Sequence, residues 1–595
     1  MPKQIKILLV LISLLAVAQA GLLIAAQVES VDKKMPASDL SALGKIASST
    51  EKILPTNNKS DRVYGGILPH HLMVKDYIVA YLNNLPDVEY DTVVLIGPNH
   101  FEKGEAIIST KRNWETENGT LESASGTIEK LGLKINDAPF KNEHSIGGLV
   151  SLIKKRLPSA KIVPIILRQN AKQLDVIRLA DALKNNVDSE KTLVLASVDF
   201  SHYQPVPVAN FHDQVSRAVI EQFDLGRLKS IEVDSPNSLL AVLTYLEKIG
   251  VKKSELKFST NSGVLAPATA DYTTSHNFYY FYQGNAQTPK FFSGLFFGDA
   301  MLDRNVGTKI SRIGMSKLLA PIAGEEKRFL MGADVVSFNL EGAVTNKGAH
   351  YPPSNTNDFA FSPANVIEFK KIGFNYVTIA NNHLSDQGQK GIEETKNNLT
   401  SIGLPFSGCA DRQVGDCSVI SQSYGTTKVG LIGLSMVYGD FDPDQAKKIV
   451  QTTKSANDLV VVNIHWGSEY THQFSKKQQN IAHALIDAGA DVIIGHHPHV
   501  VQGIEMYKNK PIFYSLGNFI FDQYFSVDTQ ESLSVGLFWD GVKWTCNLFP
   551  LKQSGSVPSL MAGKQKTNFL TKLAGWSVGS VEFKQQITKG EIKNE

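Results

Sequence analysis

The sequence predicts a two-domain α/β protein, and three observations lead to this fold class. The chain has 595 residues, more than a single domain usually holds. Short runs rich in Val, Ile and Leu alternate with segments of helical apolar spacing, which is the pattern of α/β folds. Most of these runs end in a polar residue of a metal-ligand type, and in α/β folds such residues gather where parallel strands end. The apolar share of 42% leaves enough material for two hydrophobic cores.

Composition excludes several classes of protein. The net charge is +2, so nothing indicates a nucleic-acid binder or a polybasic membrane-surface protein. The chain has only three cysteines, which excludes a disulfide-rich scaffold and a cysteine-rich zinc module. In an exported protein Cys409 and Cys417 could close a small disulfide loop, and the sequence leaves this open.

The first 30 residues have the pattern of a signal peptide or an N-terminal membrane anchor. Lys3 and Lys6 precede the apolar run Ile7–Ala18, and Ala18-Gln19-Ala20 matches a small-x-small cleavage site. Continued to residue 26, the apolar stretch reaches about 20 residues, which is enough to span a bilayer if it is not cleaved. Either way we expect the rest of the chain to lie outside the cytoplasm. Residues 31–60 are rich in Ser, Lys, Asp and Asn and are predicted to be a linker.

The first domain is predicted over residues 61–284. Asp91–Gly97 and Lys191–Val198 are buried strands by composition, and Gly147–Leu157 and Leu174–Asn186 have helical spacing. Four polar residues of ligand type follow strands in this region: His70, His100, Asp199 and His202. Any one of them could be structural, but their equivalent positions favour a common site.

Four motifs carry a resemblance to a known family. They are LPHH (68–71), IGPNHF (96–101), NEHS (142–145) and SVDFSH (197–202). In this order and spacing they resemble the Memo family, whose fold is similar to class III extradiol dioxygenases. The resemblance implies a metal pocket with His70 and His100 as ligands, lined by His144, Asp199 and His202.

The third ligand usual in that family is a cysteine, and this chain has none before Cys409. Asp234 stands near the expected place and would complete a two-His-one-carboxylate triad of the kind that holds Fe(II) or another metal. The alternative is a pocket that has kept its fold and lost its chemistry.

The second domain is predicted over residues 290–551, and here five strands in succession end in ligand residues. The strands are Phe291–Phe297, Ala333–Phe338, Asn375–Ala380, Leu459–Ile464 and Asp491–Ile494. Amphipathic helices fill the gaps at Ala364–Ile372, Gly391–Ile402 and Lys476–Ala488. Ser362 and Pro363 have the pattern of a helix start, and Gly373, Gly403 and Gly489 of helix ends.

The second domain is organised around Asp491–Val501, which reads DVIIGHHPHVV. If Pro498 keeps this loop extended, His497 and His499 point the same way. The ends of the other strands add oxygen and nitrogen donors. The full set is Asp299, Glu341, Asn382, His465, His497 and His499. Without thiolate, this set suits a divalent transition metal such as Mn, Fe or Zn, and suffices for two ions about 3.5–4 Å apart.

Six ordered blocks carry a second resemblance. They are GDAMLDR (298–304), FNLEGAVT (338–345), IANNHLSDQG (379–388), HWGSEY (465–470), GHHPHVVQG (495–503) and YSLGNFIFDQ (514–523). The chain resembles the calcineurin-like metallophosphoesterase fold, and more closely the CapA family of capsule (poly-γ-glutamate) biosynthesis proteins. This implies metal ligation by the six residues named above and a role for His383 as the acid that protonates a leaving group.

Some positions leave alternatives open. Asp386 either orients His383 or caps the next helix, and Glu469 either contacts substrate or is a solvated loop acid. Two positions depart from the phosphoesterase pattern. Met301 stands where a histidine is usual, and Glu341 stands where an aspartate bridges the ions. One of the two metals could therefore be weakly held.

We therefore predict an exported or membrane-anchored CapA-type protein. Its second domain would be a metal-dependent hydrolase or transferase in the metabolism of a capsule polymer. The expected partners are an anionic envelope or capsule polymer, capsule-synthesis proteins and, through residues 1–30, the membrane; nucleic acid is not expected. The alternative is a non-catalytic factor that binds polymer or assembles synthesis partners. Residues 552–595 are predicted to be a C-terminal tail.

Overall fold

A computed structural model describes residues 61–287, 289–353 and 357–594. The predicted leader, 1–30, and linker, 31–60, lie outside the described residues. Among the residues described, none of the helices is both long and apolar enough to cross a bilayer. Residues 74–85, which hold the helix Lys75–Asn83, form a unit separate from the remainder of the described chain.

The first domain is built on an eight-stranded mixed sheet. Its central four strands are parallel and the outer strands are mixed. In spatial order the strands are Lys134–Ile135, Ile107–Ser109, Lys161–Leu167, Thr92–Pro98, Thr192–Ser197, Gly65–Leu68, Ser275–Tyr282 and Lys253–Asn261. The helices are Ser125–Lys130, His144–Gly147, Val150–Arg156, Gln173–Asn186, Val206–Glu221, Pro236–Lys248 and Ser262–Leu265.

The second domain contains two large sheets, of nine and six strands. The main path of the nine-stranded sheet is Phe406–Ser407, Tyr376–Thr378, Val335–Leu340, Phe292–Ala300, Glu531–Trp539, Trp544–Ser554 and Val557–Leu560, with Asn518–Ile520 and Glu591–Lys593 paired at its side. The six-stranded sheet runs Val419–Tyr424, Thr427–Met436, Leu459–Trp466, Val492–His496, Lys510–Phe513 and Ile504–Tyr507. The helices are Arg304–Ile313, Met315–Ala323, Pro363–Ile372, Gly388–Ile402, Pro443–Ala456, Lys476–Asp487, Gly563–Trp576 and Val581–Lys589.

The two sheets of the second domain pack face to face. Phe296 and Val535 of the nine-stranded sheet share one hydrophobic core with Leu431, Val461 and Ile494 of the six-stranded sheet. Strands buried on both faces read as continuous apolar runs. This explains why the sequence shows unbroken Val and Ile stretches rather than alternation. The α/β fold class is confirmed.

The two domains also share a core. Phe211 of the first domain packs against Phe549 of the second, with ring centroids 6.1 Å apart, and both belong to one continuous cluster of buried residues. His212 Nε2 lies 3.4 Å from the carbonyl oxygen of Phe329. The structure therefore joins the predicted domains through a packed interface.

The prediction of a tail at residues 552–595 is wrong. The helices Gly563–Trp576 and Val581–Lys589 pack together, and Glu591–Lys593 adds a strand beside Trp544–Ser554. Phe569, Leu570 and Leu573 are buried in the core between the sheets. These apolar residues form one helix stripe, and the lysines around them dilute the signal in any linear window.

Other local predictions agree with the structure. Ser362 caps the helix Pro363–Ile372 by accepting a hydrogen bond from the amide of Ala364. Cys409 and Cys417 are joined in a disulfide, which the sequence had left open. Several strands run further than predicted, so that Asp299, His465 and His496 lie inside strands rather than after them.

Candidate metal centres

The two sheets of the second domain bring the ends of their parallel strands to one point. Asp299 and Glu341 come from adjacent strands of the nine-stranded sheet, and His465 comes from the six-stranded sheet. One ligand atom from each of these three side chains lies within 4.8 Å of the others, and all three residues are buried. Residues up to 166 positions apart in sequence thus face a single cleft, as the strand-end pattern predicts.

The carboxylate of Asp299 has three close polar contacts. Its Oδ1 accepts a hydrogen bond from Asn339 Nδ2 at 2.9 Å, and its Oδ2 accepts one from the amide of His497 at 3.1 Å. Nδ1 of His496 lies 3.0 Å from Oδ1. Burial alone would raise the pKa of Asp299, but contact with His496 and the charge of the neighbouring histidines hold that pKa below its usual range. Asp299 is therefore an anion held ready for a cation.

The carboxyl group of Glu341 has few contacts by comparison, and its pKa is shifted in the opposite direction. Its Oε1 is buried with no hydrogen-bond partner among the residues that the structure describes, 3.8 Å from Nε2 of His499 and 3.9 Å from Nε2 of His383. Burial, followed by the nearby charge of Asp299, raises its pKa well above the usual range. An unpartnered buried carboxylate oxygen costs free energy unless a proton or a cation satisfies it.

Asn382 and His465 point their polar atoms at each other. Oδ1 of Asn382 lies 2.8 Å from Nε2 of His465, and Nδ1 of His465 lies 3.2 Å from Asn339 Nδ2. Burial and the other histidines lower the pKa of His465 well below its ordinary value, so this imidazole is neutral and able to act as a ligand. Asn339, which the sequence did not single out, contacts both Asp299 and His465.

The loop with His497 and His499 is not extended, and the predicted reason for their common direction is wrong. Both residues have left-handed backbones, with φ of 97° and 57°. Such conformations cost on the order of 1–3 kcal/mol each and cluster at functional sites. They still bring the two rings to 5.9 Å apart. His499 Nδ1 lies 2.9 Å from Asn518 Oδ1, which leaves Nε2 available as a ligand. His497 Nδ1 is buried and has no partner in the described part of the chain.

His383 stands at the rim of this centre. Asp386 Oδ2 lies 2.7 Å from its Nδ1, and Asp386 also accepts from the amide of Phe359 at 2.9 Å. The next helix, Gly388–Ile402, has no side-chain cap at its start. Of the two alternatives for Asp386, the structure thus favours orientation of His383 over helix capping.

A cavity of about 460 Å³ opens beside the centre. Its walls include His383, His499, Glu469, Tyr470 and Arg304. Arg304 carries the cationic charge on this wall, and its guanidinium contacts Asp522 and lies 4.8 Å from the ring centroid of Phe359.

The residues of the second domain fit a metal. Two buried donor atoms, Glu341 Oε1 and His497 Nδ1, have no partner within the described chain. The donors are oxygen and imidazole nitrogen without thiolate, a set that suits Mn, Fe or Zn. Met301 adds no ligand, because it is buried in the hydrophobic core and its sulfur lies 3.0 Å from the amide of Asp303.

The first domain gathers all its predicted residues around a second cavity, of about 410 Å³. The residues are His70, His100, His144, Asp199, His202 and Asp234. Nε2 of His70 lies 3.3 Å from a carboxylate oxygen of Asp199 and 3.3 Å from one of Asp234. Nε2 of His100 lies 3.9 Å from the same Asp234 oxygen. The expected two-His-one-carboxylate set is thus close together.

The two carboxylates of this pocket are held in different states. Burial and the charge of Asp199 raise the pKa of Asp234 well above the usual range, and its Oδ1 has no partner within the described residues. Burial also acts to raise the pKa of Asp199, but His70 and His276 outweigh it and hold that pKa below its usual range. Burial lowers the pKa of His70 to about 4, so its ring is neutral at physiological pH. A cation would relieve the repulsion between the carboxylates.

Supporting residues complete the pocket. Glu143 lies 2.8 Å from Nδ1 of His100 and so holds its Nε2 toward the cavity. His144 is more than half exposed and stacks on His100, with ring centroids 4.1 Å apart. His276 Nδ1 lies 2.8 Å from Asp199. The amide of His202 donates to Glu232 at 2.8 Å, and Arg328 of the second domain contacts Glu232 from the other side.

Several of these supporting residues were not predicted from the sequence. Glu143 lies inside the NEHS motif, where its place beside His144 was the available signal. His276 lies in an aromatic-rich buried strand, where a polar residue stands out, but no motif surrounds it. Arg328 reaches the pocket from the other domain, and no local pattern predicts that contact.

Comparison with known proteins agrees with both resemblances. The family model for the bacterial capsule synthesis protein PGA_cap matches residues 294–523, and that for Memo-like protein matches residues 36–266. The capsule biosynthesis protein CapA of Bacillus anthracis is 30% identical over 316 residues, which cover 50% of this chain and 76% of that protein. The chain belongs to the CapA family. The PGA biosynthesis protein CapA of Bacillus subtilis (strain 168) is 29% identical over 47% of this chain and 78% of its own length.

The Memo-like domain is an addition to the CapA-like part of the chain. A MEMO1 family protein of Caldivirga maquilingensis is 32% identical over 170 residues, 26% of this chain and 60% of that protein. The predicted fusion of a Memo-like domain to a CapA-like domain is confirmed. In this CapA-family chain, each domain carries its own cluster of candidate metal ligands.

Proposed function

We propose that this CapA-family chain is an exported cell-envelope protein that hydrolyses or transfers a bond of a capsule polymer at the metal centre of its second domain. The observation that carries the proposal is the convergence of Asp299, Glu341, Asn382, His465, His497 and His499 on one cleft, where two buried donor atoms lack partners. Buried unpartnered donors around a cavity are expected of a ligand site and costly otherwise.

The residues around the centre would have different roles in the reaction. A bound divalent metal would act as a Lewis acid and lower the pKa of a water. Asp299 and Glu341 supply negative charge to hold it, and Asn518 fixes the ring of His499. Asp386 holds Nδ1 of His383, which leaves Nε2 directed into the site, 3.9 Å from Glu341. That nitrogen is placed to give a proton to a leaving group in the adjoining cavity.

Two findings support the compartment and the substrate class. Disulfides persist in oxidising compartments, and Cys409 is bonded to Cys417. The names of relatives refer to capsule and PGA biosynthesis.

His497→Ala tests the proposal. We expect it to lose turnover and at least one bound ion, because it removes a buried imidazole whose Nδ1 has no partner among the described residues. The measurements are elemental analysis of protein loaded with Mn²⁺ and dialysed, and hydrolysis of a generic phosphodiester and of poly-γ-glutamate. His483→Ala is the matched control, since His483 lies outside the centre and contacts Glu505.

Full turnover by metal-free protein would contradict the proposal. Metal bound by the wild type without turnover on any ester or amide would favour the alternative, a non-catalytic polymer-binding or assembly factor. Loss of metal in His483→Ala as well would show that the assay reports folding rather than ligation.

We propose in addition that the Memo-like pocket binds its own metal through His70, His100 and Asp234. The supporting observation is the unpartnered Oδ1 of Asp234 beside two imidazoles. Asp234→Ala is expected to abolish binding of Fe²⁺ to the first domain and to leave Mn²⁺ in the second unchanged, as measured by elemental analysis. Asp188→Ala, an exposed aspartate, is the control. Unchanged iron content in Asp234→Ala would overturn this assignment.

A further inference from the structure

The loop after the strand Leu459–Trp466 carries one more carboxylate to the metal centre. Glu469 lies on this loop, and one of its oxygens is within 4.8 Å of a ring nitrogen of His497 and of His499, as those nitrogens are of each other. This group shares no residue with Asp299, Glu341 and His465, which form a group of the same kind. The second domain therefore holds two adjacent sets of three possible ligands.

The position of Glu469 is built into the fold. The next residue, Tyr470, donates its amide to the carbonyl of Pro498 at 2.9 Å, which ties the loop to the His497–His499 turn. The ring of Tyr470 stacks near His499, with centroids 6.2 Å apart and planes at 28°. Gln523 Nε2 donates to the hydroxyl of Tyr470 at 3.2 Å. These contacts of Tyr470 hold the loop that bears Glu469 against the His497–His499 turn.

Backbone conformation points to the same constraint. Tyr470 has a φ of 62°, and His497 and His499 on the facing loop also have positive φ. Strained backbone conformations of non-glycine residues cluster at functional sites, so three of them on two facing loops are expected if these loops position a site. Gly467, with a φ of 92°, lets the chain turn out of the strand toward this position.

Each of the two histidines has a ring nitrogen that is available to bind an ion. His497 Nδ1 is buried without a partner, and His499 presents Nε2 because its Nδ1 is held by Asn518. The strand that bears Asp299 supplies no further nitrogen, since Met301 is packed in the core. Oxygens of Asp299 and Glu341 lie 3.8 Å from the ring nitrogens of His499, and a cation between the two rings would need a further oxygen that is also close to His497. Within the described chain, Glu469 is the additional carboxylate grouped with these two rings.

We propose that Glu469 is a metal ligand which, with His497 and His499, holds one ion of a pair, while Asp299, Glu341 and His465 hold the other. This inference rests on the proposed metal centre. Glu341 joins the two sets, because its Oε1 lies 3.8 Å from Nε2 of His499. Glu469 is exposed and lines the cavity, so the ion it holds is the one open to substrate.

Metal counting with Mn²⁺ alone tests the assignment. Wild type, Glu469→Gln and Asp522→Asn, each in an Asp234→Ala background that removes the ion expected in the Memo-like pocket, are loaded with Mn²⁺, dialysed and analysed for bound ions per chain. The Mn²⁺ signal is recorded by electron paramagnetic resonance. We expect two ions and a spin-coupled pair in the wild type, and one ion with an uncoupled signal in Glu469→Gln. Asp522→Asn removes a carboxylate from the same cavity that is paired with Arg304, and should keep both ions.

The outcomes separate the two proposals. Two coupled ions in Glu469→Gln would overturn the role of Glu469 and leave the metal centre intact. Loss of an ion in Asp522→Asn as well would also overturn it, because general negative charge would then explain the effect. A wild type without bound Mn²⁺ would overturn both proposals. Circular dichroism and the thermal midpoint of Glu469→Gln should match the wild type without metal, which excludes misfolding as the cause of a lost ion.

Discussion

Glu341→Gln is expected to abolish metal binding in the second domain and, at the same time, to stabilise the metal-free protein. Glutamine keeps the size of the side chain and removes its charge. In the metal-free state the carboxylate of Glu341 is buried, has an unpartnered oxygen and faces the charge of Asp299. Removal of a buried polar group that lacks a partner is expected to raise the free energy of unfolding by about 1–3 kcal/mol. Loss of function with a gain in stability is the signature of a ligand held ready for a cation.

The stabilisation should depend on pH in a defined direction. The pKa of Glu341 is raised in the folded protein above its ordinary value of 4.5. Folding therefore favours the protonated form, and the wild type loses stability as pH rises from that ordinary value through the raised one. Glutamine does not titrate. The difference in unfolding free energy between variant and wild type should be small in acid and grow toward alkaline pH.

Urea denaturation in the presence of a chelator, repeated across this pH range, measures the difference. Addition of Mn²⁺ should then stabilise the wild type by mass action and leave Glu341→Gln unchanged. Glu393→Gln, an exposed acid on the helix Gly388–Ile402, should show neither effect. A variant that is less stable than the wild type at every pH, or that still binds Mn²⁺, would contradict the assignment of Glu341.

The strand-end pattern was sufficient to predict which residues of the second domain meet. Each ligand follows or ends a run of apolar residues, and parallel strands that share a sheet place their ends together. This rule accounts for the proximity of Asp299 and Glu341, which come from adjacent strands of one sheet. His465 belongs to the other sheet and meets them because the two sheets pack face to face. Asp234 could be predicted as a pocket residue because it stands near the place where the order of the Memo-like motifs leads one to expect a third ligand.

What the sequence could not show depends on backbone detail and on contacts between distant segments. The turn has positive φ at both His497 and His499, and the sequence does not predict this because positive φ is uncommon even for histidine, which adopts it more often than most residues. Asn339 was passed over because it precedes Glu341 by two residues inside a strand, where a polar side chain reads as structural. Arg328 and the C-terminal helices reach their partners through packing between segments far apart in the chain.

Arg227→Ala is expected to destabilise the protein by about 3–5 kcal/mol, the usual cost of leaving a buried charge uncompensated. Nη1 of Arg227, in the first domain, donates to both oxygens of Asp334, in the second, at 3.0 and 3.2 Å. Its other terminal nitrogen contacts the carbonyl of Tyr424, and the guanidinium lies 4.2 Å from the ring centroid of Phe291. The side chain of Asp334 is only 6% exposed.

The effect of Arg227→Ala should grow with pH. Burial raises the pKa of Asp334 to about 6, although the charge of Arg227 acts to lower it. Without the arginine that pKa rises further. A raised pKa means stability that is present below the unfolded value of 3.8 and is lost as pH rises through the folded value. The variant continues to lose stability at pH values where the wild type has levelled off, so its deficit is larger at about pH 8 than at about pH 5.

Denaturation midpoints of wild type, Arg227→Ala, Asp334→Asn and the double variant, taken at both pH values, test this coupling between the domains. Asp334→Asn removes the charge that Arg227 compensates, so the double variant should lose less than the sum of the single losses. Arg178→Ala, which breaks an exposed pair with Asp175, should cost no more than about 1 kcal/mol. Equal losses in Arg227→Ala and Arg178→Ala would show that the pair at the domain interface contributes nothing beyond a surface contact. The predicted difference follows because Asp334 has been withdrawn from water by the packing of one domain on the other, and Asp175 has not.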